Sequence, residues 1–307
     1  MGSDPAAAVG TDTRLEPGPG ASQISGAEAR TTTTEDGYLA LLDVLGFSTL
    51  ATSDRSIHDL HRYLECLQRV FQPGQSGINY VVFSDSIVLT LAGTESHDLL
   101  QLCRACSRLM SDLIKQEIPI RGAISYGKFV RSVIEGSVFV AGKPIVEAYR
   151  YEQLQDWVGI MLTPSTLRQA RDVNFAKICT LGAFGAPDFS NLDSFAWPAC
   201  IQHAQHIPFH AAPGATGEPF YDGFAVIPGD GTTRPGAMLD AVEVTEERIN
   251  WLCSVAPSPA EQRKYAATSR WLSEIKGTLA SFAPNYLTWK RNRDDTEAEL
   301  KRNWKEI

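Results

Sequence analysis

The sequence predicts an α+β fold, in which a mostly antiparallel sheet carries packed helices in the ferredoxin-like (palm-type) arrangement. Three observations predict it. Short apolar runs of strand length alternate with amphipathic segments of helical period. Several of these runs follow one another at hairpin spacing. In chain order the elements are β-α-β-β-α-β-β-α-β, a strand, a helix and a hairpin repeated with variation, which is typical of that arrangement.

Each element has a local signal in the sequence. The helical segments repeat apolar residues three and four positions apart, and Pro144 suits the first turn of the third helix. Cys103 and Cys106 fall within the second helix, where their spacing favours packing over a metal site. The predicted elements are strand 38–47, helix 56–72, strands 78–83 and 86–92, helix 96–116, strands 120–130 and 137–142, helix 144–155 and strand 158–164.

The composition excludes several classes of protein. The 307 residues suffice for one or two domains with a full core. Hydrophobic residues make up 43% and charged residues 21%, and no apolar run reaches the roughly 18 to 20 residues that cross a bilayer. With 28 basic and 36 acidic residues the net charge is −8, which disfavours nucleic acid and anionic lipid as partners. Because cysteines are few and no secretory leader is evident, we expect a cytoplasmic protein without membrane or nucleic-acid contacts.

The chain divides into three parts by composition. Residues 1–35 contain no aromatic residue and are rich in small and polar ones, so we expect a disordered tail. Residues 36–185 hold the predicted sheet and helices. Residues 186–307 form a C-terminal extension with a loop over 186–215. The extension then continues, in order, with a strand at 220–228, helices at 236–255 and 259–281, and a charged, solvated helix at 290–307.

Two aspartates interrupt the apolar pattern. Asp43 lies in the first strand, where an isolated buried charge costs several kcal/mol or more unless it has a partner. Asp85 lies at the tight turn between the strands 78–83 and 86–92. If the hairpin lies beside the first strand, the two carboxylates meet at one edge of the sheet, where they repel unless a cation lies between them. The pair therefore predicts a divalent metal site.

Four motifs resemble those of the class III nucleotidyl cyclases, and more closely those of the pyrimidine cyclases of Pycsar anti-phage defence systems. Each motif is weak alone, but the four occur in the right order and spacing over residues 38–170. They are LLDVLGFST (41–49), FSDSIVL (83–89), IRGAISYG (120–127) and VAGKPIVEAYRYE (140–152).

The resemblance implies a two-metal site. Asp43, Asp85 and the Val44 carbonyl would hold two Mg²⁺ or Mn²⁺ ions, which agrees with the preference of these ions for oxygen ligands. Arg121 would bind the β- or γ-phosphate. The turn after the first strand is a candidate phosphate cradle or, alternatively, a plain strand-to-helix turn. Its residues are Leu45, Gly46, Phe47 and Ser48.

A second arginine and the base pocket depart from the family pattern. The family carries N-x-x-x-R on a helix, and here Arg150 is present but Val146 replaces the asparagine. The resemblance implies that Arg150 stabilises the transition state, and the alternative is a surface arginine paired with Glu147 or Glu152. The charged pair that reads purines in this family is replaced by Asn79 and Phe139. We expect this change to favour a pyrimidine, although Phe139 also suits core packing of a strand.

The resemblance implies an enzyme that converts UTP to 3′,5′-cyclic UMP and pyrophosphate, with a separate effector that responds to the product. Alternatives are CTP as substrate, a purine cyclase, and an inactive cyclase-like binding domain. The resemblance also implies a homodimer with its active sites at the interface. Asp43 would then act in one site with the partner chain's base-recognising residues and catalytic arginine.

Overall fold

The computed structural model describes residues 31–52, 56–71, 77–134, 137–173, 201–208, 220–229 and 235–282. Most of the predicted tail and all of the charged helix predicted at 290–307 lie outside these ranges. Within them the chain forms eight strands and seven helices. The strands are β1 (Thr31–Val44), β2 (Asn79–Phe83), β3 (Ser86–Ala92), β4 (Ile120–Ile134), β5 (Ser137–Gly142), β6 (Gly159–Leu162), β7 (Ile201–Pro208) and β8 (Phe220–Val226). The helices are α1 (Phe47–Thr52), α2 (Ser56–Val70), α3 (Ser96–Lys115), α4 (Lys143–Leu154), α5 (Pro164–Gln169), α6 (Pro235–Val255) and α7 (Pro259–Phe282).

All eight described strands belong to one sheet. Their order is β2-β3-β1-β4-β6-β8-β7, and β5 pairs with the far end of β4. The β4–β6 pair is parallel and the other described pairs are antiparallel. The predicted α+β fold with a mostly antiparallel sheet and packed helices is therefore confirmed.

The predicted order of the elements agrees with β1, α2, β2, β3, α3, β4, β5, α4 and β6. Two differences stand out. β1 begins at Thr31, inside the stretch predicted as tail, because its first residues pair with the far half of β4. β7 lies in the stretch predicted as a loop, so that prediction is wrong there. Long-range pairing with β8 supplies the strand partner that the local sequence does not reveal.

The core lies between the sheet and its helices. Cys103 and Cys106 on α3 are buried in this core, which confirms their packing role. The C-terminal extension joins it through α7, where the ring of Trp271 meets that of Trp157 edge-on at 4.9 Å. The Thr268 hydroxyl on α7 also accepts a hydrogen bond from the Val158 backbone N–H at 2.8 Å. None of the described helices is long and apolar enough to cross a membrane.

Candidate active site

Asp43 and Asp85 lie at the same end of the sheet. The β1–β3 register pairs Asp43 with Ser86, the residue that follows Asp85. The backbone N–H of Val44 donates to the carbonyl of Asp85 at 2.9 Å. Ser84 adopts φ +56° in the two-residue turn that joins β2 to β3, a conformation that lets a hairpin reverse within two residues. The structure therefore brings the two predicted carboxylates together.

Asp43 lies in a strongly perturbed electrostatic environment. Burial makes the largest contribution and raises its pKa. The negative charges of Glu152 and Asp85 raise the pKa further, whereas the nearby Arg121 guanidinium lowers it. Together these effects raise the pKa of Asp43 to about 6. A partly buried carboxylate beside two others is favourable in its charged form only if a cation compensates it.

Arg121 is held between two carboxylates. The β1–β4 register pairs it with Asp43. Its Nε lies 3.6 Å from Asp43 Oδ2 and 2.6 Å from Glu152 Oε1, and its Nη1 donates to the Gln155 carbonyl at 3.2 Å. The contact with Glu152 is a close ion pair without the alignment of a hydrogen bond. These contacts account for Nε and Nη1, so Nη2 is the candidate donor to an anion.

Glu152 is the site residue that sequence reasoning missed. Its side chain is 3% exposed, and its Oε2 accepts a hydrogen bond from the Gln153 amide at 2.7 Å. The sequence suggested Glu152 only as a surface partner of Arg150, but among the described residues its ion pair is with Arg121. The sequence did contain a signal that Glu152 is buried. Glu152 follows the apolar Ala148 by four positions, so the two residues share one face of the helix, and both are buried.

Arg150 lies on the other side of α4. A separation of two residues places it about 200° from Glu152 around the helix axis. Arg150 is exposed, as are its neighbours Val146 and Tyr149, and it forms no ion pair with any residue that the structure describes. The structure therefore does not bring Arg150 to Asp43 within one chain.

The turn after β1 offers fewer backbone N–H donors to a phosphate than predicted. The N–H of Leu45 is already bonded to the Pro119 carbonyl at 2.9 Å, so it is not available to a phosphate. Gly46 adopts φ +73°, a conformation that favours glycine, although a Cβ there would meet no atom within 4 Å. The remaining candidate donors are the N–H groups of Gly46, Phe47 and Ser48.

The two candidate base contacts lie far apart within the chain. Asn79 pairs with Thr90 on β3, level with Leu39 of β1. Phe139 pairs with Ser132 on β4, level with Thr32 of β1. The seven-residue offset along β1 corresponds to about 23 Å, and the two strands flank β1 on opposite sides. Phe139 is 58% exposed, so the alternative of core packing is wrong for it.

Tyr63 on α2 is a second neighbour of the site that the sequence did not single out. It is buried, and its ring meets that of Phe47 edge-on at 6.3 Å. Its hydroxyl has no hydrogen-bond partner among the described residues. Burial and the charge of Asp85 raise the pKa of Tyr63, so the hydroxyl stays protonated and can donate. In the sequence Tyr63 is simply one residue of the helix predicted at 56–72. Its place in a helix does not distinguish a packing role from a functional one.

The oxygen donors of this site fit a metal ion whose coordination shell is completed by substrate. Within the described ranges no group of three or more His, Cys, Asp or Glu side chains is arranged to hold a metal ion. Asp43 and Asp85 offer two carboxylates, and Mg²⁺ is commonly held by one or two carboxylates together with substrate phosphates and water. The unbalanced negative charge around Asp43 favours the same kind of ion.

We expect E152Q to lower the free energy of unfolding by about 3 kcal/mol, because it removes the closest partner of a largely buried guanidinium. Urea unfolding measures the change. E65Q, at an exposed position on α2, serves as the control and should stay within about 0.5 kcal/mol of the wild type. An E152Q protein as stable as the wild type would show that Arg121 does not depend on this pair.

Among known proteins, the chain has matches in solved structures but none in family models or curated sequences. No family model matches the chain, and a search of curated proteins found no match. Neighbours among solved structures include adenylyl and guanylyl cyclases and a cyclase-like ATP-binding protein. A class III adenylyl cyclase-like ATP-binding protein from Pseudomonas aeruginosa aligns at 12% identity and TM-score 0.38, over 48% of this chain and 37% of that one. A bacterial light-regulated adenylyl cyclase aligns at 14% identity and TM-score 0.36, over 46% of each chain. The catalytic core of a rhodopsin-guanylyl cyclase with converted specificity, in complex with ATPαS, aligns at 13% identity and TM-score 0.37, over 64% of this chain and 98% of that one. The chain thus spans less than half the length of the first two.

Proposed function

We propose that this protein is a nucleotide cyclase that forms a 3′,5′-cyclic nucleotide and pyrophosphate from a nucleoside triphosphate. One observation carries the proposal: Asp43, Asp85 and Arg121 come from three separate segments and meet at one end of the sheet. They belong to three of the four motifs on which the resemblance rests. A carboxylate pair next to a guanidinium suits a metal-bound triphosphate.

The chain's own groups would bind and orient the substrate. Asp43 and Asp85 would hold two divalent cations, Mg²⁺ or Mn²⁺, with the Val44 carbonyl as a further oxygen ligand. When bound, such ions activate the ribose 3′-hydroxyl and neutralise charge on the triphosphate. Arg121 would donate through Nη2 to a phosphate oxygen, while Glu152 and the Gln155 carbonyl fix the rest of the guanidinium.

The substrate we propose is a pyrimidine triphosphate, UTP first and CTP second. Asn79 and Phe139 lack the charges of the family's purine-reading pair, and a site without those partners discriminates against purines. Under this proposal the product is a second messenger of anti-phage defence, made in the cytoplasm and read by a separate effector.

A homodimer is part of the proposal, because Arg150 faces away from Asp43 within the chain. Phe139 and Tyr149 are 58% and 55% exposed, and Val146 is exposed beside Arg150. Exposed aromatic and aliphatic side chains next to an arginine are typical of interface centres. In such a dimer Arg150 of one chain would complete the carboxylate site of the other.

The direct test is to incubate the purified protein with Mn²⁺ and each of the four ribonucleoside triphosphates, and to resolve the products by mass. We expect cyclic UMP or cyclic CMP, and none from a D43N/D85N control. Cyclic AMP or cyclic GMP as the only product would refute the pyrimidine specificity.

The second candidate is a nucleotide-binding domain without turnover. Val146 favours it, since the family asparagine at this place stabilises the transition state. Nucleotide binding without any product in the same assay would support this alternative.

A further inference from the structure

A cavity of about 550 Å³ lies away from the Asp43 end of the sheet. It is bounded by one residue of β4 and by α5 with the turn after it. Tyr126 follows Arg121 by five residues along β4, which corresponds to about 17 Å. The cavity is therefore distinct from the carboxylate site. Its lining residues are Tyr126, Ser165, Arg168, Gln169 and Arg171.

The cavity holds two positive charges without counter-ions. Arg168 and Arg171 form no ion pair with any residue in the described part of the chain. The Nε of Arg171 donates to the Arg168 carbonyl at 2.9 Å, which leaves both of its Nη groups available. The nearby carboxylates of Glu147 and Asp172 are hydrogen-bonded to other groups, Glu147 to the Ser165 N–H at 3.2 Å and Asp172 to the Ser96 hydroxyl, and neither forms an ion pair with these arginines. Both arginines are exposed and line the same cavity, and two guanidinium groups that line one concave site favour an anion as its ligand.

The walls of the cavity are held in place by hydrogen bonds and ring contact. The backbone N–H of Tyr126 donates to the Ser165 hydroxyl at 3.0 Å, and the Gln169 amide donates to the Thr94 carbonyl at 2.8 Å. The ring of Tyr126 packs against that of buried Tyr38 at 5.1 Å. Walls that are already fixed lose little conformational entropy when a ligand binds.

We propose that this cavity binds a small phosphorylated anion. Guanidinium groups match the oxygens of a phosphate in paired hydrogen bonds, and the volume lies in the range of small-molecule sites. Because the cavity lies about 17 Å along β4 from Arg121, its ligand is separate from any substrate at Asp43. The proposal goes beyond the proposed cyclase function and does not depend on it.

The test uses the full chain and sodium pyrophosphate as the probe, with EDTA present so that no metal-dependent site is loaded. Isothermal titration calorimetry measures the affinity. We expect R168Q/R171Q to weaken binding by about tenfold or more, because both charge-assisted contacts are lost. The matched control R263Q/R270Q removes two exposed arginines from α7 and should bind as the wild type does.

Two further arms identify the site and the ligand chemistry. Citrate at equal ionic strength should bind more weakly than pyrophosphate. The proposal is overturned if the wild type does not bind pyrophosphate, if R168Q/R171Q binds as tightly as the control, or if citrate binds as tightly as pyrophosphate. Protection of Arg168 and Arg171 from phenylglyoxal by pyrophosphate, followed by mass spectrometry of the wild type, gives a readout that needs no variant.

Discussion

D43N is expected to lower cyclase turnover by about a thousandfold or more, and also to make the metal-free protein more stable at pH 7.5. Turnover falls because the amide replaces a charged metal ligand at the centre of the site. Stability rises because the ionised Asp43 carboxylate is disfavoured by burial and by the charges of Glu152 and Asp85. We expect a gain of about 2 kcal/mol in the free energy of unfolding.

The pH dependence of this gain follows from the raised pKa. The folded-state pKa of Asp43 is about 6, above its ordinary value of 3.8. The contribution of Asp43 to stability is therefore fully present below about pH 3.8 and is lost as the pH rises through 6. The advantage of D43N over the wild type should accordingly vanish near pH 4, grow between about pH 4 and 6, and be complete above pH 6.

Urea unfolding at a series of pH values, without metal, measures the stability difference. D36N is the matched control on the same strand, because Asp36 is half-exposed and lies 3.8 Å from Lys128. It should change stability by less than about 0.5 kcal/mol and leave turnover intact. Unchanged turnover in D43N would contradict the metal role of Asp43, and unchanged stability at pH 7.5 would contradict the electrostatic account.

Mixing inactive D43A with inactive R150A is expected to restore about a quarter of the wild-type activity. If each site takes its carboxylates from one chain and its arginine from the other, half of the randomly mixed dimers are hybrids with one intact site of two. The structure motivates this test, because Glu152 and Arg150 lie on opposite faces of α4.

The control for this experiment is a mixture of D43A with D85A. Both substitutions remove carboxylates from the same side of the shared site, so hybrids of these two variants contain no intact site and should stay inactive. The shared-site arrangement would be contradicted if verified D43A/R150A hybrids regained no activity.

Local sequence patterns were sufficient to predict most of the helices and strands. The helical period of α2, α3 and α4 and the hairpin spacing around Asp85 depend on neighbours within a few residues, so the sequence predicts them. The meeting of Asp43 and Asp85 was also predictable, because a hairpin beside β1 leaves its turn at one end of the sheet. β7 was not predictable, since its strand depends on pairing with β8.

The sequence by itself determined the class of fold, the order of the main elements and the carboxylate pair, because each of these depends on periodicity and turn chemistry within short segments. Only the tertiary structure decided which residues surround that pair. Glu152 faces Arg121, and Arg150 faces outward, because packing set the rotation of α4 against β1 and β4. Phe139 and Asn79 are far apart because strand register, a property of the whole sheet, places them on opposite sides of β1.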